Sequence, residues 1–179
     1  MDHMLLDLEK LIEKQAELDT IIFKKTKSSY KKNQKQRRLW LAVEIGNLAK
    51  QIEAYKFWKN GPKEDDHAIL EACANVLHLS LSFLIQFKTE IDQDKKTELN
   101  FVFDVKQQKQ KPSSLIASKR FLELYELCLS MEDWWSCQKF IDELLTLISL
   151  MRLNFNDLFK EYIRQSANIL KRIDEDIWS

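Results

Sequence analysis

Residues 41–59 read LAVEIGNLAKQIEAYKFWK, residues 60–66 read NGPKEDD, and residues 68–84 read AILEACANVLHLSLSFL. From Ala72 to Phe87 there is no Asp, Glu, Lys or Arg. A helix without charge on any side is buried on every side, so this one belongs at the centre of the molecule. At 16 residues the charge-free run is shorter than the roughly 20 that a membrane span needs. The same helix nevertheless carries Glu71, Asn75, His78 and Ser82, spaced to share one stripe. Buried polar groups require partners, and the preceding helix offers a matching stripe in Glu44, Asn47 and Gln51. Two facing polar stripes inside an apolar bundle mark either a site or a dimer seam.

The rest of the chain fits around that pair. With 179 residues, one domain spanning 1–179 is expected, large enough to hold a core without staples. Two Gly and two Pro leave little turn punctuation, which favours long helices and predicts an all-α bundle of about six. FVFDV at 101–105 is the one short β-like run. Lys plus Arg and Asp plus Glu balance at 28 each, so bulk charge gives no reason to expect a nucleic-acid partner. Cys73, Cys128 and Cys137 lack metal-ligand spacing and lie in apolar helical contexts, as buried free thiols in a reducing cytoplasm would. The opening MDHMLLDLEKLIEK has no apolar signal core, so neither secretion nor membrane insertion is expected.

Helical periods place a first helix over 4–23, a second from Lys35 to Trp58 stopped by Asn60-Gly61-Pro62, and a third from Asp65 or Asp66 to Lys88. Residues 90–112 form the one long irregular segment, whose Phe101-Val102-Phe103 patch is expected to dock as a short extended piece. Further helices are expected over Ser114–Ser130, Asp133–Arg152 and from Asn156 or Asp157 to Asp176, with Asn154 in a left-handed position between the last two. Lys24 to Arg38 holds eight cations and no acid. It reads as a solvated loop or as a positive rim facing phosphates, and composition does not choose.

Val43-Glu44-Ile45-Gly46-Asn47-Leu48-Ala49, then Tyr55-Lys56-Phe57-Trp58, then Leu70-Glu71 to Leu77-His78 follow one another with the order and separation of a known motif set. The segment resembles the core of the dimeric all-α dUTPase family, part of the wider all-α nucleoside triphosphate pyrophosphohydrolases. Weaker echoes are Gln15-x-x-Leu18-Asp19 and, in the last helix, Tyr162 and Arg172 at the ends of a motif whose interior differs. The resemblance implies Mg²⁺-dependent cleavage of dUTP to dUMP and pyrophosphate by a homodimer. It implies nucleotide binding by Gln15, Asp19, Lys56, Trp58, His78 and Arg172.

The family's chemistry needs four carboxylates from two helices, because Mg²⁺ is a hard ion taking carboxylate, phosphate and water oxygens in octahedral geometry. Here Glu44 matches the first acid, while Asn47, Ala72 and Asn75 replace the other three, and Glu71 stands beside the set. Glu44, Asn47, Glu71 and Asn75 are therefore the expected remnant of the metal site, with Glu44 and Glu71 its remaining catalytic carboxylates. An amide can offer Mg²⁺ an oxygen but no charge, and cannot serve as a base. The resemblance thus implies weakened metal affinity and weak or lost turnover. The alternatives are a non-catalytic nucleotide-binding, regulatory or dimerisation protein on the same fold, and a helical nucleic-acid binder using the basic run.

Overall fold

The charge-free stretch lies inside the longest helix, α3 (Asp66–Asp92), which packs against four other helices. These are α1 (Glu9–Thr26), α2 (Gln34–Ile52), α5 (Trp134–Leu150) and α6 (Phe155–Asp174). A further helix, α4 (Ser114–Ser130), covers α2 and α5. The computed structural model describes residues 2–62, 66–92, 100–107 and 110–175. The all-α class stands as read from the sequence, with six helices among the described residues.

Every residue from Ala72 to Phe87 except Asn75 is buried, and Ala74, Val76, Leu77, Leu81 and Phe83 have no exposed surface. Each such large apolar side chain contributes about 1.5–3 kcal/mol of burial. The helix over His67–Ile91 is long and apolar enough to cross a bilayer. The length of its charge-free run is therefore a weaker argument than its surroundings: 78% of its most apolar window is buried within this chain.

Local sequence sets the ends of the helices. Lys27 and Glu53 adopt left-handed backbone (φ 52° and 59°), ending α1 and α2. Glu53 stops α2 well before Trp58, so the Tyr55–Trp58 motif is a turn and not a helical end. Ser113 caps α4 by accepting from the Ile116 N–H, and α4 has the expected bounds. Asp133 and Ser136 form a reciprocal capping box on α5. Asn154 is not left-handed. Its side chain caps α6 by accepting from the Asp157 N–H, and the left-handed residue is Arg152 (φ 58°).

The start of the chain departs from the helical expectation. His3–Asp7 is a strand, β1, paired antiparallel with β2 (Val102–Lys106) in the register Leu5 to Asp104. Leu6, Phe103 and Val105 face the core, and Phe101 meets the Trp134 ring edge-on at 5.9 Å. The FVFDV run is thus the extended, docked piece expected of it. The expected cap Asp65, the terminal Asp176 and residues 93–99 of the long connection lie outside the described residues.

Gly46 brings α2 close to α4, because a Cβ there would lie 2.8 Å from the Tyr125 hydroxyl. All three cysteines are buried and free.

Candidate functional site

Helices α1, α2, α3 and α6 line a half-open cavity of about 170 Å³. Its apolar walls include Leu18, Phe23, Trp40, Leu79 and Ile169, and its polar groups include Gln15, Asp19, Arg37, Glu44, Asn75, His78 and Ser82. Three members of the α3 polar stripe, Asn75, His78 and Ser82, face this space as their spacing suggests. A wider, more open depression of about 340 Å³ beside the β-ladder and the α5–α6 turn contains none of the expected site residues.

The hydrogen bonds at the cavity floor follow from one carboxylate. Asp19 accepts from Gln15 Nε2 at 2.8 Å and from the Tyr30 hydroxyl at 2.8 Å. A carboxylate only accepts, so the Gln15 amide is oriented with its nitrogen toward Asp19 and its oxygen away. That Oε1 receives the Tyr162 hydroxyl at 2.7 Å and lies 2.8 Å from His78 Nδ1. The His78 proton is therefore on Nδ1, and Nε2 presents a lone pair. His78 stacks on Tyr162 with ring centroids 4.0 Å apart, and burial holds its pKa down to about 4. The ring is neutral at pH 7; the Tyr162 backbone beside it opposes the effect of burial, and its Nε2 is buried without a well-formed hydrogen bond among the described residues.

Arg37 supplies the opposing charge. Its guanidinium donates to Asn33 Oδ1 (2.7 Å), Ser82 Oγ (3.2 Å), the Tyr30 carbonyl (3.0 Å) and Gln86 Oε1. Its carbon lies 4.4 Å from the Phe83 ring centroid, a cation–π contact. Burial lowers its pKa to about 10, so it remains charged, while Asp19 favours the charged form. Desolvation raises the Asp19 carboxyl above its usual range, and hydrogen bonds from Gln15, Ser82 and Tyr30 act against that rise.

Of the expected nucleotide-binding residues, the structure brings Gln15, Asp19 and His78 together at the cavity. Lys56 lies elsewhere, paired with Glu53 at 2.6 Å in the turn after α2. Trp58 is exposed and packs edge-on against Phe57, and Arg172 is exposed in the last turn of α6. Of the expected metal ligands, Glu44 and Asn75 line the cavity. Asn47 is exposed and donates to Glu44 Oε2 at 3.3 Å, while Trp40 Nε1 donates to Glu44 Oε1 at 3.1 Å. Glu71 belongs to a surface ion-pair cluster, with Arg164 Nη2 and His67 Nε2 each 3.2 Å from its Oε1. Arg164 is also bonded to Glu161 at 2.9 and 2.5 Å.

This donor set does not fit Mg²⁺. Both oxygens of Glu44 and both of Asp19 are already accepting hydrogen bonds, Glu71 is held by an arginine, and Ala72 offers no oxygen. Among the described residues, no group of three or more His, Cys, Asp or Glu is placed to hold a metal ion.

Arg37, Trp40 and Tyr30 are site residues that sequence reasoning passed over. Arg37, Trp40 and Glu44 stand at i, i+3 and i+7 on α2, a signal hidden because Arg37 lies within the eight-cation run. A protein-family model described as dUTPase matches residues 7–176. No curated protein and no solved structure matches the chain.

Proposed function

We propose that this chain, which belongs to the dUTPase family, has kept the base-binding end of the family site and acts as a deoxyuridine-nucleotide-binding protein with weak or lost hydrolysis. The observation that carries this reading is the Asp19–Gln15–His78 relay, whose three side chains line a small, largely apolar pocket.

The family is generally metal-dependent, and the residues around Glu44 argue against that chemistry here. A buried cluster of acids repels itself without its cation, so neutral Asn47, Ala72 and Asn75 favour the bundle once catalysis is not required. Leu39 and Val43 on α2, with Leu115, Leu122 and Leu129 on the adjacent α4, are large exposed apolar side chains. They support a homodimer formed through these two helices. The three buried free thiols suit a reducing cytoplasm.

The test pairs pyrophosphate release from dUTP in millimolar Mg²⁺ with calorimetric titration of the same protein. Measurable nucleotide binding with negligible release supports the proposal. Rapid multiple turnover that is abolished by EDTA overturns it.

A further inference from the structure

We infer that the free edge of β1 pairs with the same edge of a second copy of this chain, antiparallel about a two-fold axis through Leu5. This seam lies apart from the α2 and α4 face and requires no nucleotide.

The β1–β2 ladder decides which main-chain groups are free. The Leu8 N–H donates to the Phe101 carbonyl at 3.1 Å, and the Gln107 N–H to the Asp2 carbonyl at 2.8 Å. Both pairs continue the register that sets Leu5 against Asp104, so the even-numbered residues of β1 bond to β2. The N–H and C=O groups of His3, Leu5 and Asp7 therefore point away from it. The sheet has no third strand, and these groups have no backbone partner among the described residues. The outer edge of β2 is different. Ser149 Oγ donates to the Lys106 carbonyl, the Val102 N–H donates to Asn100 Oδ1, and the strand packs on α5. Edge strands are usually blocked by proline, lysine or a bulge, yet β1 has neither of those residues and its central Leu5 is 71% exposed.

The sequence HMLLD is complementary to itself in one register. Centred on Leu5, that register sets His3 opposite Asp7 of the second copy and Leu5 opposite Leu5. All of these side chains lie on the exposed face, because side chains alternate along a strand. An apolar pair then fills the middle, and no acid stands opposite an acid. His3 Nδ1 and Asp7 Oδ1 are engaged within the chain, by Asp104 and the Glu9 N–H. His3 Nε2 and Asp7 Oδ2 are free among the described residues to meet directly or through a water. Every outward N–H and C=O also finds a partner. A slip of two residues sets Leu5 against His3 or Asp7 and leaves the strand ends unpaired.

Size sets the strength. Five residues a side compare with roughly 20–30 in a standard interface, so this seam alone is weak and shows only at high protein concentration. A chain that used both seams would join dimers into larger assemblies.

The experiment uses the full chain carrying Val43→Glu and Leu122→Glu, which removes the helical seam, at up to millimolar protein. Sedimentation equilibrium should show a monomer–dimer equilibrium that nucleotide does not alter. Adding Leu5→Pro removes an outward N–H and leaves the ladder to β2 intact. It should weaken association at least about tenfold, since two hydrogen bonds are lost across the axis. Mild oxidation reads the register and serves equally should the proline variant fold poorly. Leu5→Cys places two Cα atoms about 5.5 Å apart, within disulfide reach, whereas His3→Cys places them roughly 14 Å apart. Leu5→Cys should cross-link at least about tenfold faster than His3→Cys. The parent chain should not cross-link, because Cys73, Cys128 and Cys137 are buried. Association unaffected by Leu5→Pro, or equal cross-linking at positions 3 and 5, overturns the inference. So does a parent chain that stays monomeric, which would leave the edge for an extended segment of a different protein.

Discussion

Gln15 and His78, 63 residues apart, meet through a 2.8 Å bond between Oε1 and Nδ1, and Tyr162 donates to the same oxygen at 2.7 Å. One amide thereby ties α1 to α3 and α6 and fixes which face of the imidazole accepts. Replacing Gln15 by Met leaves the amide's volume roughly filled but strands His78 Nδ1 and the Asp19 oxygen that faced the amide. Tyr162 falls back on the Leu11 carbonyl, and Asp19 keeps the Tyr30 hydroxyl. Leaving such groups buried and unsatisfied costs about 1–3 kcal/mol each, so a loss of about 3 kcal/mol is expected in urea unfolding. A stability equal to wild type would show that water or another group takes over the amide's role.

His78 makes stability depend on pH in a definite direction. Its folded pKa of about 4 lies below the unfolded value near 6.5, because burial disfavours the imidazolium. Between those values the unfolded chain holds a proton that the folded chain lacks. Stability from this group is complete above pH 6.5 and is lost as pH falls toward 4, by about 3 kcal/mol in all. Asp19, raised by burial, contributes with the opposite sign. The measurement is therefore the difference between wild type and His78→Phe, followed by urea unfolding from pH 7 to pH 4.5. A difference that does not change with pH would mean that the imidazole is hydrated in the folded state.

What the sequence disclosed and what it hid divide along physical lines. The uncharged Ala72–Phe87 stretch announced a central helix because burial on all sides forbids charge, and the span expected for α4, Ser114–Ser130, is the one observed. The β1 strand was hidden because Leu5 and Leu8 also satisfy a helical spacing, while its partner Val102–Lys106 lies about a hundred residues away. Glu71 shares a stripe with Asn75, yet Arg164 on α6 draws its carboxylate into a surface cluster. Periodicity reports the face of a helix, and a distant arginine decides where a long side chain ends. Arg37 was masked by its neighbours, since composition does not distinguish one buried cation within a run of exposed ones.

Val43 and Leu122 are more than half exposed on packed helices α2 and α4, where a second copy would bury them. Val43→Glu combined with Leu122→Glu should convert a dimer into a monomer by light scattering, with the helical circular dichroism spectrum unchanged. Like-signed charges would then face each other across a two-fold axis. A wild-type protein that remains monomeric at high concentration would refute the expected assembly.

Restoring the acids tests the geometry around Glu44. Ala72 is 5% exposed, so Ala72→Glu places a carboxylate against the bundle interior, and Asn47→Glu and Asn75→Asp add two more acids near it on exposed and half-buried positions. Without metal the triple variant should lose about 3–5 kcal/mol. Millimolar Mg²⁺ should recover part of its melting temperature, because a ligand that binds the folded state alone stabilises it. Wild type should melt at the same temperature in Mg²⁺ and in EDTA. A triple variant indifferent to Mg²⁺ would show that the two helices do not converge on one ion.

Arg37 holds the other end of the cavity together. Asn33, Tyr30, Ser82 and Gln86 all accept from its guanidinium, so a single side chain links the α1–α2 connection to α3. Arg37→Met keeps the aliphatic stem and removes the charge, leaving these acceptors and Asp19 without their cation. A cost of about 3–5 kcal/mol is expected, the range for breaking a buried charged network from one side. Arg37→Lys retains the charge but cannot reproduce the planar fork, so it should recover only part of that loss. Removal of the positive charge should also favour protonation of Asp19, which weakens the carboxylate's hold on Gln15. Deoxyuridine affinity in Arg37→Met should then fall more steeply with falling pH than in wild type. If Arg37→Met and Arg37→Lys have equal stability, the charge contributes little and the residue acts through its stem alone.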